Sequence, residues 1–538
     1  MWQNAPAVRR EGHSGDRIVR CYADRPLSVD EMLARAAAEC PTKLAFIDNA
    51  SHRTYAELNA AADAVAGGLV SRGVERGDRV AVLLDNRGEF AEAFFGILRI
   101  GAIAVPLNTR DQKPELEYLI GHAGAKVLIH ESHLAERVPD AAAIPAVRHK
   151  ICVGACVPGS EPFAALLDAR RPQLAPVAED ATATILYTSG TTGKPKGAML
   201  THLSIITSTL NYRVCWQLTD QDRGLMAVPV SHVTGLVAIL LTMVSTRGTT
   251  LFMRDFKAAA FLEWAAAQRM TYTLLVPAMY NLCLLQTNFD EFDLRHWRVG
   301  GYGGAPMPQA TIARLAAKLP WLQLVNAYGA TETTSPSTLM PLGQGLLYPD
   351  TVGAPVPTAE IVVMDADSRE VPPGASGDVW IRGGHVVSGY WRDDEATRAA
   401  FSAGFWKSGD VGVMTEAGYL RLLDRKKDLI NRGGYKVYSA EVEGVLMEHP
   451  DVAEVAVTPV PDPVLGEKSH AVVYLKSGPV DAMDLKRFCA ERLSDYKVPD
   501  WVTFVDSPLP RNAAGKILKR QLSRLLLNQS EVPTETAS

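Results

Sequence analysis

The sequence predicts an α/β protein of several domains: a large N-terminal domain of parallel α/β sheets with a small β-rich subdomain, then a small α+β C-terminal domain. Three observations predict it. The chain has 538 residues, several times the usual domain length. Amphipathic helical patterns alternate with short apolar runs through its first 300 or so residues, the signature of βα units and a parallel sheet. Past Gly353 the pattern changes to short strands and turns, and the final hundred or so residues mix helix and strand differently again.

The elements follow in order. From Thr54 to Asn108, TYAELNAAADAVAGGLVSRG reads as an amphipathic helix, RVAVLLD as an apolar strand, EFAEAFFGILRIG as a second helix and AIAVPLN as the next strand. The β-branched, aliphatic and aromatic residues Thr182, Thr184, Ile185, Leu186 and Tyr187 form a buried strand that enters a loop. A second βα cycle runs from Ser231 to Pro306 through LVAILLTMVSTRG, the strand YTLLVP and the glycine-rich GGYGGAP. The segments AEIVVMD, GDVWIRG, GFWKSGDVGVM and GYLRLLDR build the β-rich subdomain. The charged run Asp424–Asp428 follows, then SAEVEGVLMEHPDVAEVAVTPVPD, HAVVYLK and the helix DLKRFCAERL. These shifts set expected domains at 1–426 and 427–528, with a polar, disordered tail over 529–538.

Composition narrows the function. The chain is 47% hydrophobic and 21% charged, ordinary for a globular protein, and its net charge of −5 carries no basic footprint for nucleic acid. No apolar stretch is long enough to span a membrane, and the N-terminus has no apolar run of a secretory signal. Seven scattered cysteines suit reduced thiols and a cytoplasmic location, and Cys152 and Cys156 lack the further ligands of a zinc site.

The chemistry starts at Tyr187–Gly197, YTSGTTGKPKG. Gly190, Gly193 and Gly197 let backbone N–H groups approach phosphate oxygens, Thr188, Ser189, Thr191 and Thr192 offer hydroxyls, and Lys194 and Lys196 offer charge. Two residues separate Gly190 from Gly193-Lys194 and Pro195 follows, so the spacing is not that of a Walker A loop. The run resembles instead the signature loop of the adenylate-forming superfamily, which includes acyl-CoA synthetases, beetle luciferase and nonribosomal-peptide adenylation domains.

The resemblance extends from about Ser28 to Leu526, with the motifs in the family's order. The segment Asn326-Ala327-Tyr328-Gly329-Ala330-Thr331-Glu332 is similar to the family's YGxTE. On its own it reads as a strand exit with a helix-capping threonine. By resemblance, Tyr328 stacks on adenine, Thr331 bonds phosphate, and Glu332 holds Mg²⁺ with Thr188 nearby. Ala327 stands where many relatives have glycine. Gly303-Gly304-Ala305-Pro306 resembles the other wall of the adenine slot, with small residues where a flat ring slides against backbone. Ser408-Gly409-Asp410 followed by Arg425 resembles the ribose clamp, a carboxylate accepting from two hydroxyls. Lys427 matches the hinge about which a mobile C-terminal domain turns, and Gly433 and Gly434 match a loop beside the CoA thiol's tunnel. Pro510–Lys516 is similar to the terminal PxxxxGK, which implies that Lys516 contacts the carboxylate and the α-phosphate during adenylation.

For the acyl pocket the resemblance points to His232, with Gly235, Tyr280, Tyr302, Gly303 and Thr333 as further walls. No aspartate lies between Arg223 and Asp255, the region where amino-acid-activating relatives hold an ammonium. The expectation is therefore an AMP-forming acid–CoA ligase using ATP, Mg²⁺ and CoA on an aryl, alicyclic or medium-chain carboxylate. The sequence is also compatible with a stand-alone enzyme that loads a carrier protein, with a light-emitting oxidative relative, with a non-catalytic nucleotide-binding protein, and with a homodimer.

Overall fold

The computed structural model describes residues 2, 5–49, 51–167, 175–188, 194–433, 435–476, 478, 480–511, 517–519 and 521–523. Ser189, Gly190, Thr191, Thr192, Gly193, Gly434, Lys516 and the tail 529–538 lie outside the described residues. The chain divides into two compact units: Met1–Val362 with Trp380–Lys407 and Ala417–Leu420, and Val363–Val379 with Ser408–Glu416 and Arg421–Ser538.

The larger unit holds two large sheets. In the seven-stranded sheet the order is Lys196–Thr201, Thr182–Thr188, Ile103–Pro106, Arg79–Leu83, Val127–Glu131, His149–Val153 and Glu161–Pro162. All its pairs are parallel except the first, an antiparallel hairpin. The nine-stranded sheet runs Ala354–Pro355, Thr338–Leu339, Gln323–Tyr328, Val299–Gly303, Tyr272–Leu275, Arg223–Met226, Thr249–Phe252, Leu44–Ile47 and His52–Thr54. Its central strands are parallel and its edges antiparallel. The expected α/β alternation is thus present, with strands such as Arg79–Leu83 buried on both faces, which is why they read as continuous apolar runs.

One continuous core includes the helices and residues from both sheets. Helix Gly88–Arg99 is buried at every position but Glu89, and helix Tyr55–Ser71 lies against it. Their closeness depends on Gly96, where a Cβ would sit 2.5 Å from Val65 Cγ1. Thr54 starts the partner helix through a capping box with Glu57, the reciprocal pairing that the sequence T-x-x-E specifies. The N-terminal hairpin Val8–His13 and Arg17–Tyr22 is tied to distant chain, since Arg17 donates to the carbonyls of Val387 at 2.8 Å and Ser388 at 2.9 Å.

Leu236–Val244, an apolar run with no strand breaker, becomes a π-helix over Thr234–Leu241 continued by an α-helix over Thr242–Thr246. Later in the chain come the short strands Ala359–Met364, Ser376–Gly383, Phe401–Ser402, Phe405–Met414 and Leu420–Arg425, the β-rich stretch that the sequence pattern announces. The smaller unit contains a sheet ordered Tyr435–Val437, Ile430–Arg432, Gly466–Leu475, Val452–Asp462, with Trp501–Val505 parallel to Gly466–Leu475. Helices Ser439–Met447 and Ala482–Ala490 share its core of Ile430, Val442, Leu446, Val457, Val473 and Leu485. No helix among the described residues is long and apolar enough to cross a membrane.

Candidate active site

The described residues of the segment expected to grip phosphate, Thr188 and Lys194–Gly197, lie where the edge hairpin of the seven-stranded sheet turns. Thr188 ends the outgoing strand and faces Lys196, which begins the return, while Tyr187 faces Gly197. Gly197 is required by crowding, because a Cβ there would lie 2.7 Å from Ile185 Cγ2. The two lysines flanking Pro195 are each seated on an aromatic ring, Lys194 Nζ 5.6 Å from the Tyr118 centroid and Lys196 Nζ 5.2 Å from that of Tyr390. The back of the hairpin is braced by Tyr118, whose hydroxyl donates to the Pro195 carbonyl at 3.2 Å and whose ring stacks on His122. Burial and Arg392 hold His122 below its ordinary pKa, and burial pushes the Tyr187 hydroxyl above its own. The Tyr187 hydroxyl and His122 Nδ1 share a hydrogen bond of 2.8 Å.

The segments expected to form the adenine slot meet at the carboxyl ends of two adjacent parallel strands, where open α/β sheets collect ligands. Gly303 pairs with Ala327 and Tyr302 with Asn326, so Gly304, Ala305 and Pro306 leave the sheet beside Tyr328 and Gly329. Gly303 permits this register: a Cβ on it would stand 2.5 Å from the Ala327 carbonyl oxygen. Gly304 turns the chain at φ +77°. Tyr328 is half-buried, and its carbonyl accepts from Ser337 N at 2.8 Å.

Glu332 lies in the short 3₁₀ turn Thr331–Thr333, which packs against strand Lys196–Thr201. The turn is stiff. Thr333 Oγ1 donates to the Ala330 carbonyl and accepts from Ala330 N, and Thr334 and Ser335 follow at φ 49° and 37°, backbone held in the left-handed region. Tyr212 and Ser335 share a hydroxyl–hydroxyl bond of 2.8 Å beneath it. The Glu332 carboxylate accepts from the Tyr390 hydroxyl at 2.9 Å. A carboxylate here and the Thr188 hydroxyl on the neighbouring strand are hard oxygen donors, the kind that suits Mg²⁺.

His232 sits just before the π-helix. Its Nε2 is 3.4 Å from Asn108 Nδ2, its carbonyl accepts from Leu236 N, and burial together with Arg110 lowers its pKa. Gly235 is fixed by space, since a Cβ would approach the Pro229 carbonyl oxygen to 2.4 Å. Two residues expected at the pocket wall are fully buried. Tyr280 is fully buried, stacks on Trp297 and donates to the Gly301 carbonyl at 2.8 Å. Thr333 is fully buried in the capping contacts above. Tyr302 is 4% exposed and shares a hydrogen bond with Asn326.

In the smaller unit Arg425 Nε meets Asp410 Oδ1 at 2.7 Å. Asp410 is buried, its backbone N–H donates to Ser408 Oγ, and Gly409 between them adopts φ 72°. Lys426 pairs with Asp378 at 2.6 Å, and both Lys426 and Lys427 are exposed. Gly433 takes φ 58° and donates its N–H to the Leu465 carbonyl.

Sequence reasoning missed Tyr390, Asn108 and the Tyr118–His122 brace. The available signal for Tyr390 was the aromatic pair in Gly389-Tyr390-Trp391, next to a strand-edge pattern.

The family model of the AMP-binding enzymes matches residues 33–391, and that of their C-terminal domain matches 441–516. The long-chain-fatty-acid–CoA ligase FadD13 of Mycobacterium tuberculosis is 34% identical over 503 residues, covering 91% of this chain and 97% of that one. A feruloyl-CoA synthase from Amycolatopsis is 35% identical over 491 residues, with 91% and 97% covered. The o-succinylbenzoate CoA synthetase of Bacillus subtilis, solved with its acyl-adenylate intermediate, superposes with a TM-score of 0.82 at 31% identity, covering 91% of this chain and 97% of that one. The same enzyme is also known with ATP and a magnesium ion, at a TM-score of 0.81, 31% identity and 91% and 98% coverage. With both family models matched in order and the nucleotide-site segments arranged at the strand ends, the chain belongs to the AMP-binding enzymes, the adenylate-forming superfamily of ligases.

Proposed function

We propose that the protein is an ATP-dependent carboxylic acid–CoA ligase that works through an acyl-adenylate. In the first step a carboxylate oxygen of the acid attacks the α-phosphorus, and the bond to the β-phosphate oxygen breaks to release pyrophosphate. In the second, the CoA sulfur attacks the acyl carbon, the thiol proton is lost, and AMP leaves. The carboxylate is already a nucleophile, so the enzyme's work is positioning and charge neutralisation.

The observation that carries the reading is the convergence, at the strand ends, of a cationic hairpin and a braced carboxylate. Lys194 and Lys196 would hold phosphates, Thr188 and Glu332 the metal, and Tyr328 with Gly303–Pro306 the adenine. Bound Mg²⁺ would offset the charge of the phosphate oxygens. Asp410 and Arg425 would hold the ribose, Lys516 the reacting carboxylate, and Lys427 would serve as the hinge between the steps.

His232 held neutral and the missing aspartate favour an acid without an ammonium group. The relatives act on acids as different as long-chain fatty acids and ferulate at nearly equal identity, so kinship leaves the tail open. We favour an aryl, alicyclic or medium-chain acid. The test is a panel of such acids scored by CoA-dependent AMP formation. AMP release that needs a carrier protein and ignores CoA would overturn the acceptor, and absence of pyrophosphate with every acid would overturn the ligase reading.

A further inference from the structure

We infer that Tyr390 is a positioning residue for adenylation, fixing the Glu332 carboxylate and the Lys196 ammonium relative to one another. This rests on the ligase reading of the site and extends it to a residue outside the recognised motifs.

The geometry is direct. The Tyr390 hydroxyl is 2.9 Å from Glu332 Oε1, and the face of the same ring lies 5.2 Å beneath Lys196 Nζ. One rigid side chain therefore touches the anion of the 331–333 turn and the cation of the hairpin. The backbone repeats the connection. Val387 N donates to the Glu332 carbonyl at 2.9 Å, Met199 N donates to the Gly389 carbonyl at 3.0 Å, and Trp391 N donates to the Gly197 carbonyl at 2.7 Å. An isolated bridge pairs Tyr390 with Ala198. Residues 387–391 thus form a strap with one end on Glu332 and the other on the strand that begins at Lys196.

The chemistry separates this from ordinary packing. A buried tyrosine needs some acceptor for its hydroxyl, and a backbone carbonyl, as at Tyr280, is enough. Tyr390 is 6% exposed and uses a carboxylate instead. A charge-assisted bond from a ring with two rotatable angles limits the rotation of the Glu332 carboxylate about its last torsion. The cation over the ring gains from the ring's negative face, so the same side chain restricts Lys196. A metal-binding carboxylate oriented in advance loses less freedom when the metal–nucleotide arrives.

The test is Tyr390→Phe, which keeps the ring under Lys196 and deletes only the donor. ATP binding is measured by titration calorimetry with excess Mg²⁺ and again in EDTA, alongside the Mg²⁺ dependence of pyrophosphate release and the melting temperature. The expected result is a roughly five- to tenfold weaker affinity with Mg²⁺, less than a twofold change in EDTA, and a matching rise in the Mg²⁺ needed for half-maximal adenylation. Unchanged affinity in both conditions, or equal losses in both, would overturn the inference. Where the phenylalanine variant does not fold, 4-fluorophenylalanine at position 390 keeps nearly the volume of tyrosine without the donor; the same split between Mg²⁺ and EDTA is expected, and unchanged affinity in both conditions, or equal losses in both, would overturn the inference. A natural enzyme that binds ATP but releases no pyrophosphate with any acid would defeat the ligase reading, and the calorimetric comparison would still judge Tyr390.

Discussion

Arg425 donates through Nε to Asp410 Oδ1 at 2.7 Å, so the carboxylate proposed for the ribose is held by the arginine fifteen residues downstream that also belongs to the clamp. Asp410 is 5% exposed. Asp410→Ala removes the acceptor and leaves Arg425 without this partner, at a cost of about 2 kcal/mol. The expected outcome is a roughly thirtyfold higher KM for ATP with little change in KM for the acid, read by steady-state kinetics.

Gly303→Ala tests the adenine wall by steric means alone. The added Cβ, 2.5 Å from the Ala327 carbonyl oxygen, must push apart two paired strands. Overpacking of this kind costs about 1–3 kcal/mol. A lowered melting temperature is expected together with a tenfold or greater loss of ATP affinity, whereas Gly121→Ala, with open space around its Cβ, should leave both near the parent values.

His232→Ala should move the acid preference and spare the nucleotide. The imidazole is held neutral by burial and by Arg110, with Asn108 beside Nε2. Removing it enlarges an apolar wall, and a hydrophobic pocket discriminates by only about 1–3 kcal/mol per group. The expected reading is a tenfold or larger shift in kcat/KM between small and bulky acids with KM for ATP within about twofold, a split that competition between two acids would reveal.

Two buried histidines set the acid limit of stability. Burial depresses His202 from 6.5 to about 4 and His385 from 6.5 to about 3. His202 Nδ1 accepts from Val29 N, a bond that a protonated ring could not make. Below pH 6.5 the unfolded chain binds protons that the native state refuses, so stability is full above that value and declines as pH falls toward 4. For His202 alone the decline amounts to about 3 kcal/mol. Thermal melts from pH 7.5 to 5 should show a falling midpoint, with a shallower slope in His202→Asn, whose side-chain oxygen can still accept from Val29.

The residues that the sequence singles out for the candidate site are those in which chemistry and sequence distance coincide. Thr188, Lys194 and Lys196 stand within one short segment, and Tyr328 and Glu332 within one strand exit, so local spacing points to them. Tyr390 reaches Glu332 across 58 positions and Asn108 reaches His232 across 124, and no local period encodes such pairs. Tyr280 illustrates the converse. Its neighbourhood in the sequence suggests a pocket wall, but which way a side chain points follows from packing, and Trp297 and the Gly301 carbonyl claim it for the interior. The π-helix at Thr234–Leu241 was equally hidden, because a uniformly apolar run fits an α or a π spiral alike.

The bonds from Arg17 to the carbonyls of Val387 and Ser388 join the beginning of the chain to a segment 370 and 371 positions later. During synthesis, therefore, Arg17 lacks these two acceptors until the chain has been made through Ser388, although His13 and Tyr22 of the same hairpin find Asp180 and Asn211 much earlier. Contacts of such long sequence separation form late and slowly. The same strap that braces Glu332 supplies the acceptors of Arg17, so nascent chains interrupted before residue 387 would lack both the anchor of Arg17 and the seat of Lys196.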